Sequence, residues 1–176
     1  MFPTIFTKRL QLRRIDSSDA SIVLKGYSDP RVNQFMSVQY KNLEEVQVQM
    51  DWYESMIVAN TGIWWGICII DNGVMIGNGG FHNWDKRHRS VELGYWILPE
   101  FHKMGYASEA IQAMVNHAFR QMNIHRVEAI VESENEASGN LLLKNGFQLE
   151  GTRRECEWVN NKFIDLQIFA KLSVLK

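Results

Sequence analysis

The chain has 176 residues, of which 45% are hydrophobic and 22% are charged. We therefore expect one domain over residues 1–176 with enough apolar side chains to bury a core. A formal net charge of -1 argues against direct binding of nucleic acid or of an anionic membrane. Cys68 and Cys156 lack metal-site spacing, and no apolar run reaches the roughly 18 residues of a membrane span, so a cytoplasmic protein is favoured.

Hydrophobic periodicity along the chain changes repeatedly between the spacing of a strand and that of a helix. Helices are predicted where apolar residues recur every three or four positions behind a capping residue, and strands where they alternate. In chain order the predicted elements are a strand over 7–15, helices beginning at Asp16–Asp19 and at Asn42, strands over 64–70, 74–81 and 90–98, a helix over 107–122, a strand over 126–132, a helix over 135–145, and strands over 147–158 and 163–172.

Short sequence signals fix several boundaries. Asn42 is placed to cap the second helix, with Glu45 able to reach back to it, and Thr61-Gly62 is expected to end that helix. Asp71-Asn72-Gly73 predicts a hairpin turn between two strands. Gly146 is expected to close the last helix, because glycine readily adopts the left-handed conformation of a helix C-terminus.

The stretch from Ile97 to Ala110 has a pattern typical of an anion site, because an apolar strand runs into Pro99, a polar loop and a helix. A helix start carries unpaired backbone N–H groups and a positive partial charge. Gly105 and Ala107 keep bulk away from an approaching group, so we expect phosphate or pyrophosphate here. Walker and dinucleotide motifs are absent, which argues against nucleotide hydrolysis and hydride transfer. The alternative is an ordinary turn in which Gly105 relieves crowding.

This stretch resembles the central motif of the GNAT acetyltransferases, Gln/Arg-x-x-Gly-x-Gly/Ala at the start of a helix. Two positions depart from the motif: His102 replaces the usual Gln or Arg, and Lys103 replaces a common glycine. In the family, backbone N–H groups of this motif hold the pyrophosphate of acetyl-CoA. The resemblance therefore implies acetyl-CoA as co-substrate. It implies these cofactor-binding residues: His102, Lys103, Met104, Gly105, Tyr106, Ala107 and Ser108.

Four further segments look like the RimJ/RimL-like branch of that family, which is named for acetyltransferases of ribosomal-protein N-termini. They are Thr7 to Arg13, Val91 to Ile97, Asn135 to Ser138 and Leu143 to Phe147. The resemblance implies the GNAT fold, an α/β architecture with a central mixed, mostly antiparallel seven-stranded sheet and about four helices. In this fold the strands predicted at 90–98 and 126–132 splay apart around the pantetheine arm. Main-chain contacts near Trp96 and Ile97 are implied, with Asn135 facing the same arm.

Acetyl transfer from a thioester to an amine requires a base for the amine, donors for the oxyanion and a proton for the thiolate. A backbone N–H near Ile97 or Leu98 is the candidate oxyanion donor. Glu92, a carboxylate within an apolar strand, is the candidate base, and the alternative is a structural ion pair with a neighbour such as Arg89.

Ser138 is the candidate acid, because the position of the tyrosine that many family members use is Leu142 here. The alternative is that the Ser138 hydroxyl bonds to backbone in the first turn of its helix. His82 and His88 lack a third ligand, so no metal site is expected.

The acceptor is the least constrained part of the prediction. Freeing a lysine-like amine at pH 7 costs about 4.6 kcal/mol, whereas a peptide α-amine costs only about 1 kcal/mol. With no tyrosine acid, the easier amine is favoured, and the RimJ/RimL resemblance implies a protein N-terminus such as that of a ribosomal protein. Polyamines, aminoglycosides and amino-acid-like amines are alternative acceptors, and a non-catalytic acetyl-CoA-binding sensor is the non-enzyme alternative. A monomer or homodimer is expected.

Overall fold

The computed structural model describes residues 2–174, and its centre is one sheet of eight strands. The strands are β1 (Ile5–Phe6), β2 (Leu10–Arg14), β3 (Ile63–Ile69), β4 (Met75–Asp85), β5 (Ser90–Ile97), β6 (Arg126–Glu132), β7 (Gln148–Val159) and β8 (Lys162–Leu172). Their order across the sheet is β1-β2-β3-β4-β5-β6-β8-β7. All neighbouring strands are antiparallel except β5 and β6, which are parallel.

Helices cover both faces of this sheet. They are α1 (Ala20–Ser28), α2 (Pro30–Asn33), α3 (Leu43–Ala59), α4 (Tyr106–Gln121) and α5 (Glu136–Lys144), with single 3₁₀ turns at Ser17–Asp19 and Pro99–Phe101. Buried residues of α4 and α5 pack with Leu10, Leu12 and Trp65 in one core cluster. Buried residues of α1 and α3 pack with Trp64 and Trp96 in a second. Because adjacent residues of a strand point to opposite faces, neighbours such as Trp64 and Trp65 join different clusters.

The predicted mixed α/β fold is confirmed, and two short elements are additional to it. β1 is an eighth strand, and it is separate from β2 because the Thr7 backbone N–H turns back to donate to the Leu10 carbonyl at 2.9 Å. α2 is a fifth helix of four residues, capped by the Asp29 side chain, which accepts from the Arg31 N–H at 2.9 Å. Elements this short carry too few residues to show a hydrophobic period.

The boundaries of α3 follow the sequence with small corrections. The Asn42 side chain caps α3 by accepting from the Glu45 N–H at 2.9 Å, as predicted. The Glu45 carboxylate reaches back to Asn42, accepting from its side-chain Nδ2 at 3.2 Å, and it also accepts from the Lys41 backbone N–H at 2.7 Å. The helix ends at Ala59, and its C-cap Asn60, whose φ of 55° is left-handed, comes one residue before the predicted Thr61-Gly62.

Candidate active site

A gap opens in the middle of the sheet, between β5 and β6. These strands pair only from Ser90 with Arg126 to Glu92 with Glu128. Beyond that point β6 stays paired with β8, as far as Glu132. β5 likewise stays paired with β4, so each strand keeps one partner while the edges that face each other diverge.

The register of β4 and β5 identifies the backbone groups that face the gap. The Leu98 N–H donates to the Ile76 carbonyl at 2.8 Å, and bonded positions alternate along an antiparallel pair. Leu93, Tyr95 and Ile97 therefore direct their N–H and C=O groups away from β4 and toward β6. Past Glu92 the pairing with β6 has ended, so β6 does not pair with these groups.

Only part of the predicted main-chain contact lies on that edge. Ile97 faces the gap, and its carbonyl is bonded to Nε2 of the His102 ring at 2.7 Å. The backbone groups of Trp96 face β4, opposite Asn78. The Leu98 N–H already donates to the Ile76 carbonyl. Of the two predicted oxyanion donors, the Ile97 N–H is thus the one whose direction suits the gap.

The predicted anion loop, residues 102–108, lies at the end of β5 and leads into α4. Lys103 and Gly105 have left-handed φ values of 61° and 83°, and no side chain caps the helix at Gly105. The Glu109 N–H makes the first bond back into the helix, to the Gly105 carbonyl at 3.1 Å. The N–H groups before it, at residues 106–108, begin a 16-residue helix and are placed as in a helix N-terminal anion site.

The side chains of the anion loop differ in their exposure and in their hydrogen bonds. His102, Lys103 and Met104 are exposed at the surface. The Ser108 hydroxyl instead donates to Oδ1 of Asn145, at the end of α5, at 3.0 Å. This bond ties the first turn of α4 to α5, and the Ser108 backbone remains the part that can contact a phosphate.

The predicted acid, Ser138, is paired with a hydroxyl that the sequence did not reveal. The Tyr95 hydroxyl, reaching across from β5, lies 2.8 Å from Ser138 Oγ. Burial raises the pKa of Tyr95 to about 12, and the hydrogen bond to Ser138 opposes this rise. Asn135 caps α5 by accepting from the Ser138 N–H at 3.1 Å, and Leu142 is fully buried in the core.

Glu92, the predicted base, occupies the other face of β5. Its carboxylate accepts from Asn83 Nδ2 at 3.0 Å and lies 3.5 Å from Nε2 of His82. The suggested ion pair with Arg89 is wrong, because Arg89 instead donates to the carbonyl and side-chain oxygens of Asn123, both at 2.8 Å. Glu92 therefore has one imidazole and one amide as neighbours, both on its own face of the sheet.

Aromatic rings lie beside the His82 side chain, which is itself next to Glu92. The Trp52 ring lies 5.3 Å from that of Trp64, and the His82 ring lies 6.1 Å and 6.0 Å from these two. Gly94 makes room for this arrangement, because a Cβ there would lie 2.6 Å from the Trp64 ring. Trp52 remains 37% exposed, so the cluster opens to the surface.

Metal ligands, membrane helices and thiols are the remaining features of functional interest. No group of three or more His, Cys, Asp and Glu side chains within residues 2–174 is arranged to hold a metal ion. No helix in the same range is long and apolar enough to span a bilayer. Cys68 is buried and Cys156 is half-buried, and both are free thiols.

Comparison with known proteins identifies the family. Residues 9–148 match the acetyltransferase (GNAT) domain. The chain is also 34% identical over 171 residues to the uncharacterized N-acetyltransferase YoaA of Bacillus subtilis (strain 168), with 97% of each chain covered. The protein therefore belongs to the GNAT acetyltransferases and is an acetyl-transferring enzyme.

More distant relatives have named acceptors. A ribosomal-protein-serine acetyltransferase of Escherichia coli (strain K12) is 28% identical over 98 residues, covering 56% of this chain and 55% of its own. A spermidine N(1)-acetyltransferase of the same strain is 29% identical over 76 residues, covering 43% and 41%. The RimL ribosomal L7/L12 α-N-protein acetyltransferase in complex with coenzyme A shares the fold, with a TM-score of 0.87, 21% identity and coverage of 97% and 98%. The match to the ribosomal-protein-serine acetyltransferase supports the RimJ/RimL-like assignment, and the RimL structure supports the fold.

Proposed function

We propose that the protein transfers acetyl from acetyl-CoA to the α-amine of a protein N-terminus by direct attack in a ternary complex. The observation that carries this proposal is the gap between β5 and β6, which runs toward the uncapped start of α4. An extended arm and a terminal phosphate group need these two features at opposite ends of one site. RimL, whose fold this chain shares, binds coenzyme A, which supports the same cofactor here.

The residues present fit such a cofactor. The N–H groups of Leu93, Tyr95 and Ile97 and the C=O groups of Leu93 and Tyr95 can pair with the amides of a pantetheine arm as a neighbouring strand would. The anion loop offers helix N-terminal N–H groups to the pyrophosphate. Bound there, acetyl-CoA supplies an acetyl thioester as the electrophile.

The reaction forms one bond and removes one proton at the amine, and it breaks one bond and adds one proton at the sulfur. The amine nitrogen forms the new N–C bond, the thioester C–S bond breaks, one proton leaves the amine and one reaches the sulfur. We assign the first proton to the Glu92 carboxylate, directly or through water, with Asn83 and His82 orienting it. The Ile97 N–H is assigned to the oxyanion, a role typically worth roughly 3 kcal/mol.

The second proton is assigned to Ser138, assisted by Tyr95. At neutral pH the Tyr95 hydroxyl is protonated, because burial raises its pKa to about 12. It lies 2.8 Å from Ser138 Oγ and can donate to that oxygen as Ser138 gives up its own proton. Leu142 stands at the position where many family members have a tyrosine acid, and Tyr95 of β5 supplies a tyrosine hydroxyl in its place.

An α-amine acceptor is supported by the pKa of the amine itself and by the relatives. At pH 7 the α-amine needs only about 1 kcal/mol to become neutral. The rings of Trp52 and Trp64, which lie beside His82, suit an ammonium group before it loses its proton. The named ribosomal-protein relative supports a protein N-terminus, and the spermidine relative supports a polyamine as the second candidate.

The test supplies labelled acetyl-CoA and three acceptors: peptides with free N-termini, polyamines and aminoglycosides. We expect label on the peptide α-amine. Label on a polyamine or drug with peptides untouched would overturn the protein acceptor and keep the acetyltransferase. Cofactor binding without any labelled acceptor would favour a sensor.

A further inference from the structure

The start of β2 is bound to the start of α4 through a single carboxylate. Oε1 of Glu109 accepts from the Thr7 hydroxyl at 2.6 Å and from the Arg9 backbone N–H at 2.8 Å. Oε2 accepts from Arg9 Nε at 2.7 Å. Glu109 belongs to the first turn of α4, so Thr7 and Arg9 hold the helix at the end where the anion loop enters it.

Arg9 also reaches the anion loop itself. Its Nη1 donates to the Met104 carbonyl at 2.9 Å, and its guanidinium carbon lies 4.4 Å from the centre of the Tyr106 ring. A Cβ at Gly105 would lie 3.3 Å from Arg9 Nη2. One guanidinium thus contacts the residues on both sides of Gly105 and restrains the loop where its backbone is least regular.

The Met104 carbonyl matters because of the peptide bond that it shares with Gly105. In a trans peptide the C=O and the following N–H point in opposite directions. When Arg9 holds the Met104 carbonyl, the Gly105 N–H is directed away from Arg9. Met104 lies between two left-handed residues, Lys103 and Gly105, so without this bond the peptide has little else to fix its orientation.

Charge provides a second reason for an arginine here. Glu109 places a carboxylate one turn from N–H groups that are proposed to bind phosphate, and that charge alone would repel an anion. The Arg9 guanidinium compensates it at 2.7 Å. Arginine can bond Glu109 and Met104 together because its donors form a rigid fork, which a lysine ammonium cannot reproduce.

We propose that Arg9 is a positioning residue of the cofactor site, which orients the Met104–Gly105 peptide toward the phosphates and neutralises Glu109. The inference rests on the proposed function, in which the anion loop binds the pyrophosphate of acetyl-CoA. It predicts that Arg9 affects recognition of the phosphate end and leaves recognition of the pantetheine arm unchanged.

The test compares Arg9→Met and Arg9→Lys with the wild type in calorimetric titrations with CoA. We expect Arg9→Met to weaken CoA binding by about tenfold, the scale of one lost charge-assisted hydrogen bond, and Arg9→Lys to recover only part of the loss. In parallel, kcat/KM is measured with acetyl-CoA and with S-acetylpantetheine, which lacks the phosphates. Only the acetyl-CoA value should fall.

Arg14→Met is the matched control, because Arg14 is the last residue of β2, the strand that Arg9 precedes, and it forms an exposed ion pair with Glu54. It should bind CoA as the wild type does. Equal losses of kcat/KM with both thioesters would mean that Arg9 contributes only to general stability. Wild-type CoA affinity in folded Arg9→Met or Arg9→Lys would overturn this proposal and leave the proposed function standing. A wild type that fails to bind CoA would instead overturn the proposed function, and this inference with it.

Discussion

Replacing Gly105 with valine tests the anion loop most directly. Gly105 has a φ of 83°, in the left-handed region that L-residues enter at a cost of roughly 1–2 kcal/mol, with β-branched residues among the worst. The new Cβ would meet only the end of the Arg9 side chain, at 3.3 Å, which can move aside. The strain therefore acts mainly on the backbone and drives the loop toward another conformation.

The loss of affinity can be worked out from the contacts that this conformation provides. Losing one backbone N–H bond to a charged ligand costs about 1.5–3 kcal/mol, and each 1.4 kcal/mol is about a factor of ten in Kd. We therefore expect Gly105→Val to weaken acetyl-CoA binding by more than about tenfold. The protein should still fold, because Gly105 is exposed and outside both core clusters.

Calorimetric titration with acetyl-CoA measures the effect, and Gly73→Val is its control. Gly73, in the turn between β3 and β4, has a similar φ of 71°, and a Cβ added there would have no heavy atom within 4 Å. The two variants carry similar backbone strain, but only one carries it in the anion loop. Wild-type affinity in folded Gly105→Val, or equal losses in both variants, would remove the loop from the cofactor site.

Three further predictions concern catalysis and acid stability. Glu92→Gln should lower kcat/KM by about 10²-fold, most strongly at low pH where the amine is protonated, and leave CoA affinity unchanged; a constant ratio to wild type across pH 6 to 9 would assign Glu92 a structural role. Ser138→Ala and Tyr95→Phe should each slow turnover, and the double variant should lose less than the sum of the two in free energy, because they share one proton path; strict additivity would separate them. Burial raises the pKa of Glu109, but hydrogen bonds from Thr7 and Arg9 outweigh it and lower the pKa below its ordinary 4.5. The stability from this carboxylate is thus present above pH 4.5 and lost as pH falls through the lowered pKa, so Glu109→Gln should flatten that part of the acid unfolding curve, and an unchanged curve would contradict it.

The anion loop could be predicted from sequence because its signals are local. A strand, a proline, a glycine and an amphipathic helix lie within one short stretch, and β5, the turn at Pro99–Phe101 and α4 follow one another there as predicted. Which of Trp96 and Ile97 directs its backbone N–H and C=O groups toward the gap could not be predicted in this way. It depends on which β5 residues bond to β4, and this register is set across a hairpin with an irregularity between His82 and Asp85.

Contacts between distant segments explain the other differences. Tyr95 meets Ser138, 43 positions later, only because α5 lies over the gap beside β5. Arg9 meets Glu109 across 100 positions because β2 and α4 pack at the same end of the sheet. Arg89, the neighbour named in the alternative interpretation of Glu92, is close in sequence, but the strand register brings His82 and Asn83 to Glu92 instead. Hydrophobic periodicity identifies faces and does not identify such pairs.

The single parallel pairing in the sheet has a mechanical consequence. β1 to β5 form one hydrogen-bonded block and β6 to β8 form another, and the blocks share only the three paired positions that end at Glu92 and Glu128. A ligand that bonds to both edges would therefore act as a ninth strand and join the blocks. Its binding should slow amide hydrogen exchange in both blocks together, so the cofactor would be a structural member of the sheet as well as a reactant.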